Sequence, residues 1–237
     1  MFGTPKVLAD GHAVSLPYRK ADALLYYLIR KRRAARSELI GLLWADTDTQ
    51  TAQKNLRHAI YSIRKELGWD PFASGHRAIL ELSPEVEIRC DVSDFLESGD
   101  PELYGGEFLK GFAIPLAEGF EDWLVGERTA LQTRYLRKLL EAGEAALNQE
   151  DLEKAERFSL AYLTVDPLEE SAVMLLMRVC RARQQFRRAI GIYHDLSQSL
   201  ADEFGVSPLN ETTALYYQIA DLWNASAAPP EEMEEEE

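Results

Sequence analysis

Between residues 52 and 67 of this 237-residue chain, basic, amide and hydroxyl side chains recur against a regular apolar stripe. Leu56, Ile60, Ile63 and Leu67 fall at helical spacing on one face, which predicts a helix ending at Gly68. Lys54, Asn55, Arg57, His58, Tyr61, Ser62, Arg64 and Lys65 take the rest of its surface. Such a set has the chemistry of nucleic-acid recognition. A helix fits the major groove of double-stranded DNA, where Arg and Lys suit guanine edges and Asn suits adenine. Lys54, Asn55, Arg57, His58 and Tyr61 are the candidates for base edges, with Asn55 nearer the phosphates if the helix docks deeply. Ser62 joins them as a hydroxyl on the same surface. Arg64 and Lys65, toward the helix end, suit phosphates, which give affinity without sequence information. Farther along, His76 and Arg77 are placed to reach the backbone or the minor groove. A basic amphipathic helix also reads as nothing more than a solvated face. Its context decides between the two.

That context is a series of short elements. Residues 6–9 and 13–16 are β-prone runs around Asp10-Gly11, a strong hairpin turn. From Tyr18 the period changes to helical, with Ala21, Leu24, Leu25, Leu28 and Ile29 inward, and the basic run 30–33 closes that helix. Ser37 is the expected cap of a second helix over 38–44, with Leu39, Ile40, Leu43 and Trp44 on one face. Residues 46–51 form a polar turn before the basic helix. After it, residues 78–82 and 86–89 alternate around Ser83-Pro84-Glu85, which predicts a two-stranded wing. Two helices, a turn, a basic helix and a hairpin follow the order of a winged helix-turn-helix.

The net charge of −14 argues against a nucleic-acid binder until it is divided. Residues 1–100 hold 14 Lys/Arg and 14 Asp/Glu, whereas residues 101–237 hold 12 and 26. Residues 19–73 alone carry 11 basic and 6 acidic side chains. The positive charge is therefore local, as phosphate contacts require. No stretch approaches the ~20 apolar residues of a membrane span, and the N-terminus lacks a secretory pattern. Two cysteines, Cys90 and Cys180, make neither a disulfide framework nor a thiolate cluster. A cytoplasmic location is the expectation, with no membrane partner.

From about residue 117 the periodicity is helical almost throughout. Helices are predicted over 119–148, 152–164, 168–183, 186–204 and 210–223. Leu152-x-x-Ala155 and Phe186-x-x-Ala189 stand 34 positions apart, the tetratricopeptide period, and small residues there let paired helices approach closely. Residues 225–237 are acidic and of low complexity, and are expected to be disordered. The fold class expected is mainly α: a winged helix-turn-helix with short strands over 1–92, an all-α tetratricopeptide-like domain over 93–224, and the tail 225–237.

Enzyme chemistry finds little support. His12, His58, His76 and His194 show no metal-ligand spacing, and there is no Gly-x-Ser-x-Gly elbow. Gly105 and Gly106 suggest a phosphate loop, yet no Gly-Lys-Ser/Thr ending follows. The sequence calls for no catalytic residue, cofactor or metal.

The segments Gly11 to Leu16, Arg19-Lys20-Ala21, Ser37-Glu38-Leu39-Ile40 and Leu43-Trp44 resemble the DNA-binding half of the SARP family. These are bacterial activators with an OmpR/PhoB-type winged helix. The strongest match is the run Ala52-Gln53-Lys54-Asn55-Leu56-Arg57 through Arg64-Lys65-Glu66-Leu67-Gly68, which in that family is the recognition helix. Phe2-Gly3-Thr4-Pro5 resembles the family's opening, which there follows a short strand absent here. Phe120-x-x-Trp123-Leu124, Asp166-Pro167-Leu168, Leu176-Met177 and Tyr193 with Glu203-Phe204-Gly205-Val206 are similar to the bacterial transcriptional activator domain. Trp123, Leu176 and Tyr193 are expected in its core. The resemblance implies a regulator that binds direct repeats as a homodimer and contacts RNA polymerase subunits. A different class remains open: a tetratricopeptide-type adaptor whose winged helix makes protein contacts. An adaptor would cover the basic helix or ring it with acid.

Overall fold

Residues 1–75 and 77–227 are described by the computed structural model; His76 and residues 228–237 lie outside the described residues. The chain divides into two compact units, Met1–Arg134 and Tyr135–Glu237. The first begins with a hairpin of β1 (Leu8–Ala9) and β2 (His12–Ala13), paired Leu8 to Ala13 and Ala9 to His12. Its turn needs two left-handed residues, and Asp10 and Gly11 supply them at φ 49° and 80°.

Helix α1 (Arg19–Lys31) buries Ala21, Ala23, Leu24, Leu25, Tyr26, Tyr27 and Leu28, more than one face, because it runs through the core. Arg32, at φ 67°, stops it by turning its N–H back to the Leu28 carbonyl at 2.7 Å. The basic run thus ends the helix at Lys31 rather than Arg33, and the next residues form a strand that the sequence reading did not anticipate, β3 (Arg33–Ala35). Helix α2 (Arg36–Trp44) follows directly. Ala35, not Ser37, is its N-cap residue. Glu38 does the capping in reverse: one carboxylate oxygen accepts the Ala35 N–H at 3.3 Å, and the other accepts the Tyr27 hydroxyl at 2.5 Å.

Helix α3 (Thr49–Leu67) lies against α1 and α2. The chain then forms the wing, but not as expected. Strand β4 (Ile79–Glu81) pairs antiparallel with β3, Ala34 opposite Leu80. Its other side meets the segment around Phe72, which bridges Leu82, with Ala73 N–H on the Glu81 carbonyl at 2.9 Å. The predicted pairing of 78–82 with 86–89 does not form. A strand has two edges, and both edges of β4 are taken. Val86, Ile88 and Cys90 still alternate inward, but they join no ladder among the described residues. They line a groove of about 890 Å³ with Leu25, Ile29, Leu67 and Trp69.

Helix α4 (Asp91–Ser98) buries Val92 and Phe95 and ends at left-handed Gly99. Next comes the glycine-containing stretch. A Cβ on Gly105 would stand 3.0 Å from the Phe2 Cβ, so this residue serves close packing of the N-terminus. Helix α5 (Glu118–Asn148) begins in the first unit. There Phe120, Leu124 and Leu131 are buried, and Trp123 packs on Tyr27 and Phe120 at ring separations of 4.8 and 5.1 Å. Glu127 binds Arg30 at 2.8 Å and Lys31 at 3.1 Å, and Arg128 donates to the Phe108 and Leu109 carbonyls. These contacts are why the compact division falls at 134, beyond the boundary at 92 drawn from the sequence.

The second unit contains the rest of α5, then α6 (Leu152–Leu163), α7 (Glu170–Ala182), α8 (Phe186–Phe204) and α9 (Asn210–Ala227). Helix α9 carries three residues, 225–227, that the sequence reading placed in the tail; the remainder of the tail lies outside the described residues. Successive helices pack as pairs around Val173, Met177, Cys180, Ala189, Leu196, Leu215 and Ile219, with a second cluster of Leu139, Phe158, Tyr162 and Ala172. The 34-residue period is physical. Ala155 and Ala189 are both fully buried. Glu150 and Gln184 both adopt positive φ, 62° and 60°. Asp151 and Gln185 then send their N–H groups to Ala146 and Cys180 at 2.9 and 2.8 Å. Each repeat uses one tight left-handed link to reverse the chain.

Candidate nucleic-acid interface

Helix α3 is fixed at both ends by local chemistry. Asp48 is its N-cap, accepting the Thr51 N–H at 3.0 Å, and Gly68 ends it at φ 76° with its N–H on the Arg64 carbonyl. The buried set is Ala52, Leu56, Ala59, Ile60, Ser62 and Ile63. Three apolar stripe positions therefore face the core as expected, and Leu67 is half-buried at the end. Ser62 is a correction to the expected outer surface: at 5% exposure it belongs to the packed side. Seven residues from Asn55, it lies on the same flank, and Asn55 is itself half-buried.

The outer face carries Lys54, Arg57, His58, Tyr61, Arg64 and Lys65, all exposed, with Tyr61 at 62%. They are not equivalent. Lys54 and Lys65 make no ion pair among the described residues. Arg57 only curls onto its own helix, its Nε donating to the Gln53 carbonyl at 3.3 Å. Arg64 is held: its Nε lies 2.8 Å from Asp70 Oδ1, and its guanidinium sits over the Phe72 ring at 5.6 Å. Burial alone would raise the Asp70 carboxyl. The Arg64 hydrogen bond, the Phe72 N–H and the Arg64 charge together hold it below its ordinary value. His58 is tied back to the start of α1, where its Nδ1 lies 3.0 Å from the Tyr18 hydroxyl and the rings stack at 5.5 Å. Burial raises the Tyr18 phenol against a smaller opposing effect of its Ser62 hydrogen bond. Tyr18, His58 and Ser62 thus fix the rotation of α3 about its axis.

Gln50 and Gln53 are exposed as well, and the sequence reading passed over both. The signal was available. Gln50, Lys54, Arg57 and Tyr61 recur at steps of four, three and four, but starting the helix at Ala52 left Gln50 in a turn. In the wing, Arg77 is exposed at the tip between Phe72 and β4, and His76 lies outside the described residues. Among the described residues no group of His, Cys, Asp or Glu is placed to hold a metal. No helix there is long and apolar enough to cross a membrane.

Comparison with known proteins places this geometry in a family. The pattern of the bacterial transcriptional activator domain matches residues 99–220, just over half of the chain. It begins within the first compact unit and takes in most of the second. The chain is similar to the transcriptional regulatory protein MoaR1 of Mycobacterium bovis (strain BCG / Pasteur 1173P2), with 22% identity covering 86% of this chain and 72% of that protein. Its fold is similar to that of Mycobacterium tuberculosis EmbR, solved in complex with a low-affinity phosphopeptide. The TM-score is 0.69 at 20% identity, covering 93% of this chain. The chain spans 64% of the EmbR chain. A winged helix with a cationic outer helix, joined to tetratricopeptide-like helices that carry the activator-domain pattern, makes this protein a member of the bacterial transcriptional activator domain family and a transcription regulator of the SARP type.

Proposed function

We propose that the protein is a cytoplasmic, sequence-specific DNA-binding regulator that reads the major groove with the outer face of α3. One observation carries this reading. Exposed Lys54, Arg57, Tyr61 and Lys65 stand opposite the buried Leu56, Ile60 and Ile63, so the cationic face is open while the apolar face holds the fold. Lys54, Arg57 and Tyr61, with Gln50 added, are the base-edge set; Asn55 and His58 sit at its margins; Lys65 and Arg77 meet phosphates. An adaptor would need this face covered or surrounded by carboxylates, and among the described residues of the first unit the acidic neighbour in ion-pair contact with it is Asp70. The family supports the finer reading that the protein acts as a homodimer on direct repeats and contacts RNA polymerase through the helical domain.

The test is selection from a random double-stranded DNA pool, with a salt titration of the selected sites. Enrichment of a direct repeat spaced by one helical turn (~10–11 bp) is expected, with affinity falling steeply as salt rises. Binding that shows neither enrichment nor salt dependence would remove the reading and turn attention to protein partners.

A further inference from the structure

A stack of helix pairs carries the same faces from one pair to the next, so an earlier pair shows what a later face is built to meet. In the second unit α7 and α9 are the second members of successive pairs. Ala172, Leu175 and Val179 of α7 are buried, and 40 positions on, Thr212, Leu215 and Ile219 of α9 are buried in the same order. Ala172 and Val179 look back onto α6, in clusters with Phe158 and with Ala155. About a quarter-turn around α7, Val173, Met177 and Cys180 look forward, in one cluster with Ala189, Leu196 and Leu200 of α8. The same step of 40 gives the forward face of α9: Thr213, Tyr217 and Ala220.

The two forward faces differ in what lies over them. Met177 is fully buried beneath α8, whereas Tyr217 is 62% exposed, with Thr213 and Ala220 half-buried beside it. A terminal helix that meets only water carries a polar outer face. Helix α9 does not. Only 2 of its 18 residues, Glu211 and Asp221, are charged, in a chain that is 28% charged. The face is also held in shape: the Tyr193 ring of α8 stacks on Tyr216 at 4.3 Å, and the Tyr193 hydroxyl shares a hydrogen bond with Thr213 Oγ1 at 3.1 Å. Covering a surface already ordered loses little conformational freedom. What fits it is a helix of the kind that α8 presents to α7. A second copy of the chain has no such helix to offer, because its own α8 is packed between α7 and α9.

We propose that the forward face of α9, centred on Tyr217, is a docking surface for an amphipathic helix of another protein. That helix repeats the apolar spacing of α8: a small residue, as at Ala189, followed seven and eleven positions later by leucine-sized residues, as at Leu196 and Leu200. It continues on α9 the packing that α8 makes on α7. The inference does not depend on the reading of α3.

The probe is a fluorescein-labelled peptide with the sequence of α8, Gln185 to Gly205, titrated with the full chain and read by anisotropy. Saturable binding is expected. It should weaken at least about tenfold in Tyr217→Glu and stay unchanged in Tyr61→Ala, an equally exposed tyrosine on α3. A peptide carrying Leu196→Glu and Leu200→Glu should not bind. The melting temperature of Tyr217→Glu should match that of the unaltered protein; if it falls, Tyr217→Ala takes its place. Three results would overturn the proposal. One is no saturable binding of the α8 peptide. Another is binding that neither Tyr217 variant weakens, which would mean that the peptide exchanges with the chain's own α8. The third is a concentration-dependent dimer in sedimentation velocity that Tyr217→Glu dissolves, which would give the face to a second copy.

Discussion

Replacing Asp70 by Asn removes a negative charge from the end of α3 while keeping an oxygen that accepts the Phe72 N–H, now 3.1 Å away. Arg64, held at 2.8 Å by that carboxylate, is then free to reach a phosphate. The cost to the fold is small. Both partners are about half exposed, at 47% and 51%, and such pairs contribute ~0.2–1 kcal/mol. The gain on DNA is larger. One added phosphate contact steepens the log–log salt dependence by about 0.9. If that contact is worth nothing at 1 M salt, it raises affinity roughly fifteenfold at 50 mM and about fourfold at 200 mM. Anisotropy titrations of Asp70→Asn across that range, beside Arg64→Ala, read both quantities. The double variant should return to the Arg64→Ala affinity, because the effect runs through Arg64. An unchanged or shallower slope in Asp70→Asn would mean that Asp70 positions Arg64 for DNA rather than competing for it, and the reasoning would fail.

Leu56→Ala should destabilise the first unit by ~2–5 kcal/mol, whereas Tyr61→Ala, on the exposed face, should change its stability by less than about 0.5 kcal/mol. Equal losses in thermal unfolding would show that α3 is turned the other way. Burial raises the Asp22 carboxyl from 3.8 to about 6 despite the opposing Arg19 charge. Its raised value favours the folded state fully below pH 4, and this contribution is lost as pH rises through about 6. Asp22→Asn should therefore stabilise the protein by about 1 kcal/mol at pH 8, after discounting for solvent screening, and by nothing at pH 3.5. A gain of the same size at both pH values would exclude the ionisation. A Cβ on Gly143 would lie 2.6 Å from Leu175 Cδ2, a fully buried atom set, so Gly143→Ala should cost ~1–3 kcal/mol. Gly126→Ala, with nothing within 4 Å, should instead stabilise the helix by ~0.5–1 kcal/mol, and calorimetry of the pair would expose the opposite order.

The long helices were legible because their signals are redundant. Helices α6, α8 and α9 begin at the residues where the period begins, and Gly205 closes α8 in the left-handed conformation. Strand β3 was hidden for the opposite reason. It has three residues, one of them buried, and its arginine merges with the basic run that closes α1. The wing illustrates a different limit: alternation marks residues 86–89 as strand-like, but pattern alone does not say which edge is vacant. At the site, the period correctly separated Leu56, Ile60 and Ile63 from Lys54, Arg57 and Tyr61. Polarity placed Ser62 on the outer surface, because a hydroxyl is small enough to be packed once a partner such as Tyr18, the residue before α1, is supplied. The engagement of Arg64 by Asp70 is a matter of how the chain turns after Gly68, which spacing within α3 does not encode.

The stapling of the wing to the link between α1 and α2 bears on how such a protein can diverge. With β4 held by β3 on one side and by the Phe72 segment on the other, Ala73 and Ala78 are both anchored by backbone pairing, which does not depend on the sequence of the chain that joins them. Lengthening it would cost little, about 0.6 kcal/mol for each doubling. The reach of this segment and the identity of its exposed side chains could change there while α3 keeps its rotation. The same economy makes Ser74, exposed and outside the core, a suitable attachment point for a spectroscopic label that reports on the proposed DNA contact.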